Sequence, residues 1–308
     1  MLYTKLGETD LNVSRIAFGT WQAGGDWGAP QEENLKAAIR WALDLSINFF
    51  DTAQAYEFGA SESLLGEALK PEIKNRRDEV ILATKGDLRM DGDTLLRDSS
   101  PGWLRNGVTD SLRFLGTDYI DIYQVQWPDP QVPFEETADA LDEMDKEGNI
   151  RYVGVSNFDA KQRAEFEKIR KLDSMQPPYN SFRRDLEKEI LPFCAEHGIG
   201  VLVYGPLALG LLSGNMTPDQ HFVEGDWRAH SALFQGAKFR CDLAKVEELK
   251  RFAADRGHTV AQLAVFWTLS IPAVDVAIVG ARRPDHFQGT APAAEFDPSE
   301  EDCERSRT

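Results

Sequence analysis

Cysteine is scarce in this chain of 308 residues, and the three present, Cys194, Cys241 and Cys303, are odd in number and widely spaced. That pattern matches neither a disulfide framework nor a zinc site, so a reducing cytoplasm is the expected location. The five histidines are equally dispersed, and we expect no metal. Apolar runs long enough to cross a bilayer are missing, and the first residues lack a basic segment followed by an apolar one. We therefore expect neither a membrane span nor a secretory signal.

Positive charge is also in short supply. Lysine and arginine number 34 against 51 aspartates and glutamates, which gives a formal net charge of −17. A surface this acidic repels phosphate backbones and anionic lipids, so we expect no nucleic-acid or membrane partner. The hydrophobic share of 42% is that of a soluble globular protein.

Short apolar runs alternate with helical patterns along the whole chain. Eight runs are rich in β-branched or aromatic residues and nearly continuous in apolar character, as are parallel strands covered on both faces. After an N-terminal hairpin, eight strand–helix alternations predict an α/β fold, a closed (β/α)8 TIM barrel forming a single domain over residues 1–308. A doubly wound sheet is the alternative, disfavoured because no G-x-G-x-x-G follows the first strand. The predicted strands are Ile16–Gly19, Phe49–Asp51, Ile81–Thr84, Ile120–Gln124, Tyr152–Val155, Ser174–Met175, Gly200–Tyr204 and Val276–Val279.

Helical periodicity fills the spaces between these runs. Glycines such as Gly116 and Gly198 follow the periodic segments, as C-terminal caps do. The segment from Ser213 to Cys241 is the least regular, and it is long enough to cover a site. The predicted helices are Gln31–Leu45, Glu62–Leu69, Pro101–Leu115, Pro133–Glu147, Ala160–Leu172, Asp185–His197 and Leu243–Ser270, the last long enough to be two.

Polar side chains stand at the ends of three predicted strands. Asp51, Lys85 and Gln126 stand at or just after the ends of successive strands, and Tyr56 follows Asp51 by five residues. Since the carboxyl ends of barrel strands form the active face, these four side chains are expected to converge. A free phenol has a pKa of about 10, and an ammonium held by a carboxylate would lower it toward neutrality. The set favours proton transfer by Tyr56; the alternative is a structural Asp–Lys ion pair beside a packed tyrosine.

A series of short motifs resembles one family over nearly the whole chain. The chain is similar to the aldo-keto reductases, of the branch with short C-terminal tails. The motifs are Gly19-Thr20-Trp21, Asp51-Thr52-Ala53 with Tyr56, Gly59-Ala60-Ser61-Glu62, Thr84-Lys85, Trp127-Pro128-Asp129, Arg151-Tyr152-Val153-Gly154-Val155-Ser156-Asn157-Phe158, Gln176-Pro177-Pro178-Tyr179-Asn180, Tyr204-Gly205-Pro206-Leu207 and Gly280-Ala281-Arg282-Arg283-Pro284.

The resemblance implies a barrel that binds NADP(H) in extended form and reduces aldehydes or ketones. It makes Tyr56 the proton donor, with Lys85 and Asp51 as its tuning partners. Ser156 and Asn157 could instead be a helix N-cap, which is common chemistry at a strand end. The residues implied to hold the nicotinamide end are Gly19, Thr20, Trp21, Asp51, Ser156, Asn157 and Gln176, with Tyr204 stacked on the ring.

The loops after the last two strands form the usual phosphate site of such barrels. An arginine fork suits a 2′-phosphate, so NADPH is favoured over NADH, although either arginine could serve surface solubility instead. Arg282 and His286 are the better candidates, His286 being weak because glutamine or asparagine is more usual there. The residues predicted to hold the phosphates are Gly205, Pro206, Leu207, Leu209, Gly210, Gly280, Arg282, Arg283 and His286.

One position departs from the family pattern: Gln126 stands where these enzymes normally have histidine. A glutamine amide can orient and polarise a carbonyl, but it cannot titrate. Reduction with Tyr56 as sole proton donor is the preferred reading, and the alternative is a catalytically weak NADPH-binding redox sensor or subunit with a protein partner. The natural substrate, the physiological direction and the oligomeric state stay open, a monomer included. The predicted substrate walls are Trp21, Trp27, Tyr56 and Trp127, with Trp227 or Phe234 from the long loop, whereas the acidic tail after Phe296 is expected to add little.

Overall fold

Eight parallel strands close into a barrel, with two short antiparallel hairpins outside it. The computed structural model describes residues 1–29, 31–290 and 293. The strands are β1 (Tyr3–Lys5), β2 (Asn12–Ser14), β3 (Ile16–Gly19), β4 (Phe49–Asp51), β5 (Ile81–Gly86), β6 (Leu88–Asp91), β7 (Thr94–Arg97), β8 (Ile120–Val125), β9 (Ile150–Ser156), β10 (Ser174–Gln176), β11 (Gly200–Tyr204) and β12 (Val276–Gly280).

The barrel strands pair in parallel in the order β3, β4, β5, β8, β9, β10, β11 and β12, and β12 returns to β3. The closing register sets Gly280 opposite Gly19. Each barrel strand lies within two residues of a predicted one. The predicted (β/α)8 barrel is therefore confirmed, and the doubly wound alternative is wrong.

Helices cover the outside of the barrel. Capping explains several of their ends: Asp159 and Thr259 each start a helix with a capping box, and Gly116 ends another in the left-handed conformation. The helices are α1 (Glu32–Asp44), α2 (Ala60–Ala68), α3 (Lys70–Asn75), α4 (Pro101–Leu115), α5 (Phe134–Lys146), α6 (Ala160–Ile169), α7 (Ile190–His197), α8 (Gly236–Ala254), α9 (Val260–Leu269) and α10 (Pro284–Gln288).

Several predicted boundaries need correction. The segment Leu243–Ser270 is indeed two helices, but α8 begins at Gly236, inside the stretch expected to be a loop. The predicted helix Asp185–His197 is a single 3-10 turn over Asp185–Glu187 followed by α7. The β6–β7 hairpin, α3 and α10 were not predicted.

The hairpin β1–β2 closes the amino-terminal end of the barrel. Leu6, Leu11 and Val13 pack with residues that fill the barrel interior, such as Phe49 and Ile122. A second and larger core lies between the strands and the surrounding helices. Since one end is plugged, the opposite end, where the strands have their carboxyl termini, is the end that remains open.

Some predictions concern residues outside the described part of the chain. The acidic tail after Phe296 and Cys303 are among them. Within the described ranges, no helix has the length and apolar character needed to cross a membrane. The same residues contain no group of three or more histidine, cysteine, aspartate or glutamate side chains arranged to hold a metal ion.

Candidate active site

A cleft of about 1060 Å³ opens at the carboxyl ends of the barrel strands. The predicted site residues line it, with the exception of Thr20 and of the two loop aromatics offered as alternatives, Trp227 and Phe234. Thr20 is buried; it donates to the Asp51 carbonyl at 3.2 Å and accepts from Ser61 at 2.7 Å. Thr20 therefore supports the floor of the cleft from below. The predicted residues that line the cleft are Gly19, Trp21, Trp27, Asp51, Tyr56, Lys85, Gln126, Trp127, Ser156, Asn157, Gln176, Tyr204, Gly205, Pro206, Leu207, Leu209, Gly210, Gly280, Arg282, Arg283 and His286.

A buried ion pair occupies the floor. The Lys85 ammonium donates to Asp51 Oδ1 and to the Thr52 carbonyl, both at 2.7 Å, and only 2% of the Lys85 side chain is exposed. Gln176 donates to the second carboxylate oxygen of Asp51 at 2.7 Å. Burial lowers the pKa of Lys85, and the Asp51 carboxylate opposes that shift. The pair is fixed in place because each charged atom has a hydrogen-bonding partner.

Tyr56 lies above this pair. The Lys85 ammonium is 5.4 Å from the centroid of the Tyr56 ring. Burial, and after it the Asp51 carboxylate, raises the pKa of Tyr56 well above that of a free phenol. The shift is opposite to the one expected from the sequence. Its physical reason is that burial removes hydration that a phenolate would need, and the Asp51 carboxylate adds a negative charge nearby.

Glycine permits the close approach of the first loop to this tyrosine. A Cβ at Gly24 would lie 2.8 Å from the Tyr56 Cβ. Trp21, on the same loop, stacks near the Tyr56 ring with centroids 6.4 Å apart. The proton-donor candidate is thus held between the loop after β3 and the charged floor.

Gln126 is half-buried at the end of β8. Its side-chain oxygen is buried and has no hydrogen-bonding partner within the described residues. Asp87, a fully buried residue with a left-handed backbone (φ 90°), accepts the amide proton of Trp127 at 2.8 Å. Burial raises the pKa of Asp87 well above its usual range, against the backbone donors of Trp127 and Gln126. Asp87, which sequence reasoning missed, therefore fixes the backbone that carries Gln126.

The residues predicted to hold an amide group form one network. Asn157 donates to the Gln126 carbonyl at 2.9 Å and accepts from the Tyr204 hydroxyl, also at 2.9 Å. Ser156 donates to the Gln176 carbonyl at 2.7 Å. The alternative reading of Ser156 and Asn157 as a helix N-cap is wrong, because the N-cap of α6 is Asp159.

The outer end of the cleft carries the cationic side chains. Arg282 donates to the backbone carbonyls of Trp27 at 3.0 Å and Ala29 at 3.2 Å, so it ties the loop after β12 to the loop after β3. Arg283 is exposed and pairs with Asp285 at 3.0 Å, and its guanidinium also contacts His286. Partial burial and the Arg283 charge lower the pKa of His286.

Aromatic rings form the wall between the two ends. Trp21 packs edge-on against Trp27 at 5.1 Å and stacks with Trp227 at 5.9 Å. The long loop is held there by a backbone hydrogen bond of 2.9 Å from Trp227 to Asp26. Phe234 is buried in the separate core beneath that loop and does not line the cleft.

Sequence reasoning missed part of the lining. Leu88, Met90 and Leu95 of the β6–β7 hairpin reach the cleft, as does Phe58. The turn dipeptide Asp91-Gly92 was the available signal for that hairpin. Arg228 also lines the cleft, and its guanidinium lies 4.4 Å from the Trp27 ring centroid.

Comparison with known proteins agrees with this geometry. The sequence profile of the aldo/keto reductase family matches residues 15–307. The chain belongs to the aldo/keto reductase family. It is therefore an oxidoreductase of a family that acts on carbonyl compounds, and the resemblance stated from its motifs is confirmed.

Curated relatives cover nearly the whole chain. The aldo-keto reductase YhdN of Bacillus subtilis is 43% identical over 290 residues, 94% of this chain and 87% of that protein. The NADH-specific methylglyoxal reductase of Escherichia coli is 34% identical over 314 residues, 97% of this chain and 95% of that enzyme. A putative voltage-gated potassium channel subunit beta of Schizosaccharomyces pombe is 32% identical over 305 residues, 94% of this chain and 87% of that protein.

Solved structures give the same family. The glycerol dehydrogenase of Gluconobacter oxydans superimposes with a TM-score of 0.89 at 37% identity, covering 99% of this chain and 93% of that one. An aldo/keto reductase from Klebsiella pneumoniae, crystallised with NADP and acetate, has a TM-score of 0.77 at 28% identity, covering 99% and 93%.

Proposed function

We propose that this chain is an NADPH-dependent oxidoreductase that interconverts aldehydes or ketones and alcohols by hydride transfer. The observation that carries the proposal is that Tyr56, Lys85, Gln126 and Tyr204, which stand on four different barrel strands or the loops after them, line one cleft. Such convergence of an acid, a fixed cation and an amide donor supports chemistry on a carbonyl.

The residues present fit a nicotinamide dinucleotide. The Asn157–Gln176 network offers amide donors and acceptors, and the half-buried Tyr204 ring offers a flat platform beside it. Backbone at Gly205 has open space where a Cβ would stand, which leaves room for close approach of a phosphate group. When bound, the reduced nicotinamide supplies the hydride.

The chain's own residues supply the proton and the positioning. The Tyr56 phenol is protonated at neutral pH, as an ordinary phenol is, and can deliver a proton to the carbonyl oxygen; its raised pKa keeps it protonated at higher pH as well. Lys85, fixed by Asp51, stabilises the phenolate that this transfer leaves, until solvent returns a proton. The Gln126 amide orients the carbonyl by donating a hydrogen bond to its oxygen.

NADPH is proposed over NADH because of the outer end of the cleft. Arg282, Arg283 and His286 lie within five residues of each other and line it together. Two guanidinium groups suit a 2′-phosphate, and this is conspicuous in a chain with a net charge of −17. The NADH-specific relative shows why the preference needs its own test.

A paired measurement tests the proposal: NADPH binding by fluorescence, and NADPH oxidation with a panel of aldehydes and ketones. We expect tight binding and turnover in the wild type. Tyr56→Phe should keep the binding and lose kcat by about 10²–10⁴-fold, the usual contribution of general acid catalysis. Undiminished turnover in Tyr56→Phe would remove this residue from the mechanism, and absence of binding would overturn the cofactor assignment.

A second function is favoured by one comparison. The Schizosaccharomyces pombe relative is named as a channel subunit, and Gln126 lacks a titrating group. The second candidate is a catalytically weak NADPH-binding sensor or subunit with a protein partner. Such a protein would bind NADPH tightly but show no NADPH oxidation with any carbonyl compound of the panel. The same paired measurement distinguishes the two functions.

A further inference from the structure

The motif Gly59-Ala60-Ser61-Glu62 places two polar side chains behind the floor of the cleft. Ser61 and Glu62 stand in the first turn of α2, both are fully buried, and neither lines the cleft. Burial of a hydroxyl or a carboxyl is unfavourable unless the group finds a hydrogen-bonding partner. The partners of these two side chains therefore indicate what the motif does.

Three buried threonines lie next to residues of the cleft floor. Thr20 follows the last residue of β3, Thr52 follows Asp51 at the end of β4, and Thr84 precedes Lys85 in β5. Successive side chains of a strand point to opposite faces. Thr84 therefore points outward, toward the surrounding helices, because Lys85 points into the cleft.

Ser61 joins two of these threonines. Its hydroxyl donates to the Thr20 hydroxyl at 2.7 Å and forms a hydrogen bond of 3.0 Å with the Thr52 hydroxyl. The Thr20 hydroxyl in turn donates to the Asp51 carbonyl at 3.2 Å, and the Thr52 carbonyl accepts from the Lys85 ammonium at 2.7 Å. One serine thus fixes the backbone on both sides of the buried ion pair.

Glu62 holds the third threonine. The Thr84 hydroxyl donates to Glu62 Oε1 at 2.6 Å. Burial raises the pKa of Glu62, and the hydrogen bonds from Thr84 and Ser111 oppose that rise. The first turn of a helix also favours a negative charge, because the amino end of the helix dipole is positive. The carboxyl group of Glu62 thus anchors the part of β5 that carries Lys85.

The same helical turn holds the backbone of Tyr56. The Ser61 amide donates to the Tyr56 carbonyl at 3.3 Å. Gly59 has a left-handed backbone (φ 103°), and a Cβ there would lie 2.4 Å from the Phe114 ring. Glycine therefore allows the chain to enter α2 soon after Tyr56. The proton-donor candidate and the ion pair both rest on this turn.

Apolar packing already attaches α2 to the barrel. Leu64, Leu65 and Ala68 of this helix belong to the large core between the strands and the helices. Replacement of a buried hydrogen-bonded pair by apolar groups of the same shape is often nearly neutral for stability. The polar contacts of Ser61 and Glu62 therefore add precise placement more than attachment.

We propose that Ser61 and Glu62 are positioning residues that hold the ends of β3, β4 and β5, and with them the buried ion pair, in place beneath Tyr56. This inference rests on the proposed reductase function and adds to it two residues that do not line the cleft. Misplacement of a reacting group by about 1 Å can cost about 10²-fold in rate. The motif should therefore affect the chemical step and leave cofactor affinity unchanged.

Removal of the hydroxyl groups tests the proposal. Thr84→Val keeps the shape of the side chain without its hydroxyl, and Ser61→Ala removes the other link. We expect each variant to slow single-turnover NADPH oxidation, which reports the chemical step, about tenfold, and the two together about 10²-fold. Thr84→Ser keeps the hydroxyl and should stay within about threefold of the wild type. The Kd for NADPH should not change in any of the three.

A double-mutant cycle tests the contact between Glu62 and Thr84. Glu62→Leu removes the acceptor, so adding it to Thr84→Val should slow the reaction no further than either change alone. Effects that multiply would overturn the link through Thr84. Rates are expressed per NADPH-binding site, so that unfolded protein does not count.

The matched control is Thr268→Val. Thr268 is a buried threonine of α9 whose hydroxyl donates to the Ala264 carbonyl at 2.9 Å. This variant should lose about as much thermal stability as Thr84→Val, since each loses one buried hydrogen bond. Its single-turnover rate should equal that of the wild type.

The NMR resonance of the Tyr56 phenol carbon (Cζ), identified by its loss in Tyr56→Phe, tests the positioning without turnover. It should move in Ser61→Ala and Thr84→Val but not in Thr84→Ser or Thr268→Val, because it responds to the field of the ion pair. A moved resonance in a chain that turns over no carbonyl would support the positioning and overturn the reductase function. Wild-type rates and an unmoved resonance in Ser61→Ala and Thr84→Val would overturn the positioning and leave the reductase function standing.

Discussion

The two ends of the cleft differ in the solvent exposure of their charged side chains. At the reacting end, the charges of Lys85 and Asp51 are buried, paired at 2.7 Å and roofed by the half-buried Tyr56. At the outer end, Arg283 and Asp285 form an ion pair with both side chains more than half exposed. Both ends contain an ion pair, yet only the first is withdrawn from water.

This difference decides what each end can do. A charge in a low-dielectric floor acts strongly on a neighbouring group, and after burial, which is the larger cause, the Asp51 carboxylate raises the pKa of Tyr56. An exposed pair is screened by water and salt and exchanges partners at little cost, so it suits a group that must be bound and released. Changes at the reacting end should therefore affect the chemical step, and changes at the outer end should affect cofactor affinity.

Removal of the buried ammonium should have the largest effect. Lys85→Met leaves the Asp51 carboxylate unpaired next to the phenol, which raises the pKa of Tyr56 further and removes the cation that stabilises the phenolate. We expect a loss of about 10³-fold in kcat/KM for aldehyde reduction, within the range of general acid catalysis, measured by NADPH oxidation at pH 7.

An unpaired buried charge also costs about 3–5 kcal/mol of stability, so the fold must be checked. Lys85→Met combined with Asp51→Asn removes the orphaned charge and should recover thermal stability without recovering turnover. Activity within tenfold of the wild type in either variant would show that the ion pair is structural.

Substitutions at the outer end of the cleft are expected to change the affinity for the cofactor. Arg283→Gln removes an exposed guanidinium from the proposed 2′-phosphate site. We expect about a tenfold rise in the Kd for NADPH, the loss of one charge-assisted contact, and almost no change in the Kd for NADH. Arg282→Gln should weaken both cofactors, because Arg282 also ties the Trp27 and Ala29 carbonyls to the loop after β12.

Arg113→Gln, which removes an exposed arginine of α4, is the matched control and should change neither constant. Equal losses for NADPH and NADH in Arg283→Gln would remove the 2′-phosphate role. Titrations at two salt concentrations sharpen the contrast, since only the exposed end should be screened.

The barrel was predictable because its signals are local. Buried parallel strands require continuous apolar runs, and the runs at Ile16–Gly19 and Gly200–Tyr204 coincide with the observed strands residue for residue. The start of α8 at Gly236 was missed because the preceding loop is mixed in composition. Phe239 and Leu243 of α8 pack on a separate core beneath that loop. This packing stabilises the helix, and it is visible only in the tertiary structure.

The site was predictable as a set of residues but not as an electrostatic environment. Motif positions identified Asp51, Tyr56 and Lys85, and the strand ends brought them together. The direction of the Tyr56 pKa shift was missed, because it depends first on burial and then on the Asp51 carboxylate, and the extent of burial is known only after folding. Asp87 was missed since its role as an acceptor for the Trp127 amide is visible only after folding.

The smallest expected effect lies at Gln126. With no titrating group at that position and with the pKa of Tyr56 raised, the acid form of the donor persists far above neutrality, so kcat/KM for reduction should be flat from about pH 6 to pH 9. Gln126→His should raise kcat/KM a few-fold, because an imidazole can both donate to the carbonyl and move a proton. It should also introduce a pH-dependent limb in the rate profile near the ordinary histidine pKa of about 6.5.

Gln126→Asn, which keeps a non-titrating amide, is the control, and its pH profile should stay flat. A wild-type pH profile that falls with an apparent pKa between about 7 and 9 would contradict the raised pKa of the Tyr56 phenol. An unchanged or lower kcat/KM in Gln126→His would show that glutamine is the better hydrogen-bonding partner for the carbonyl in this barrel.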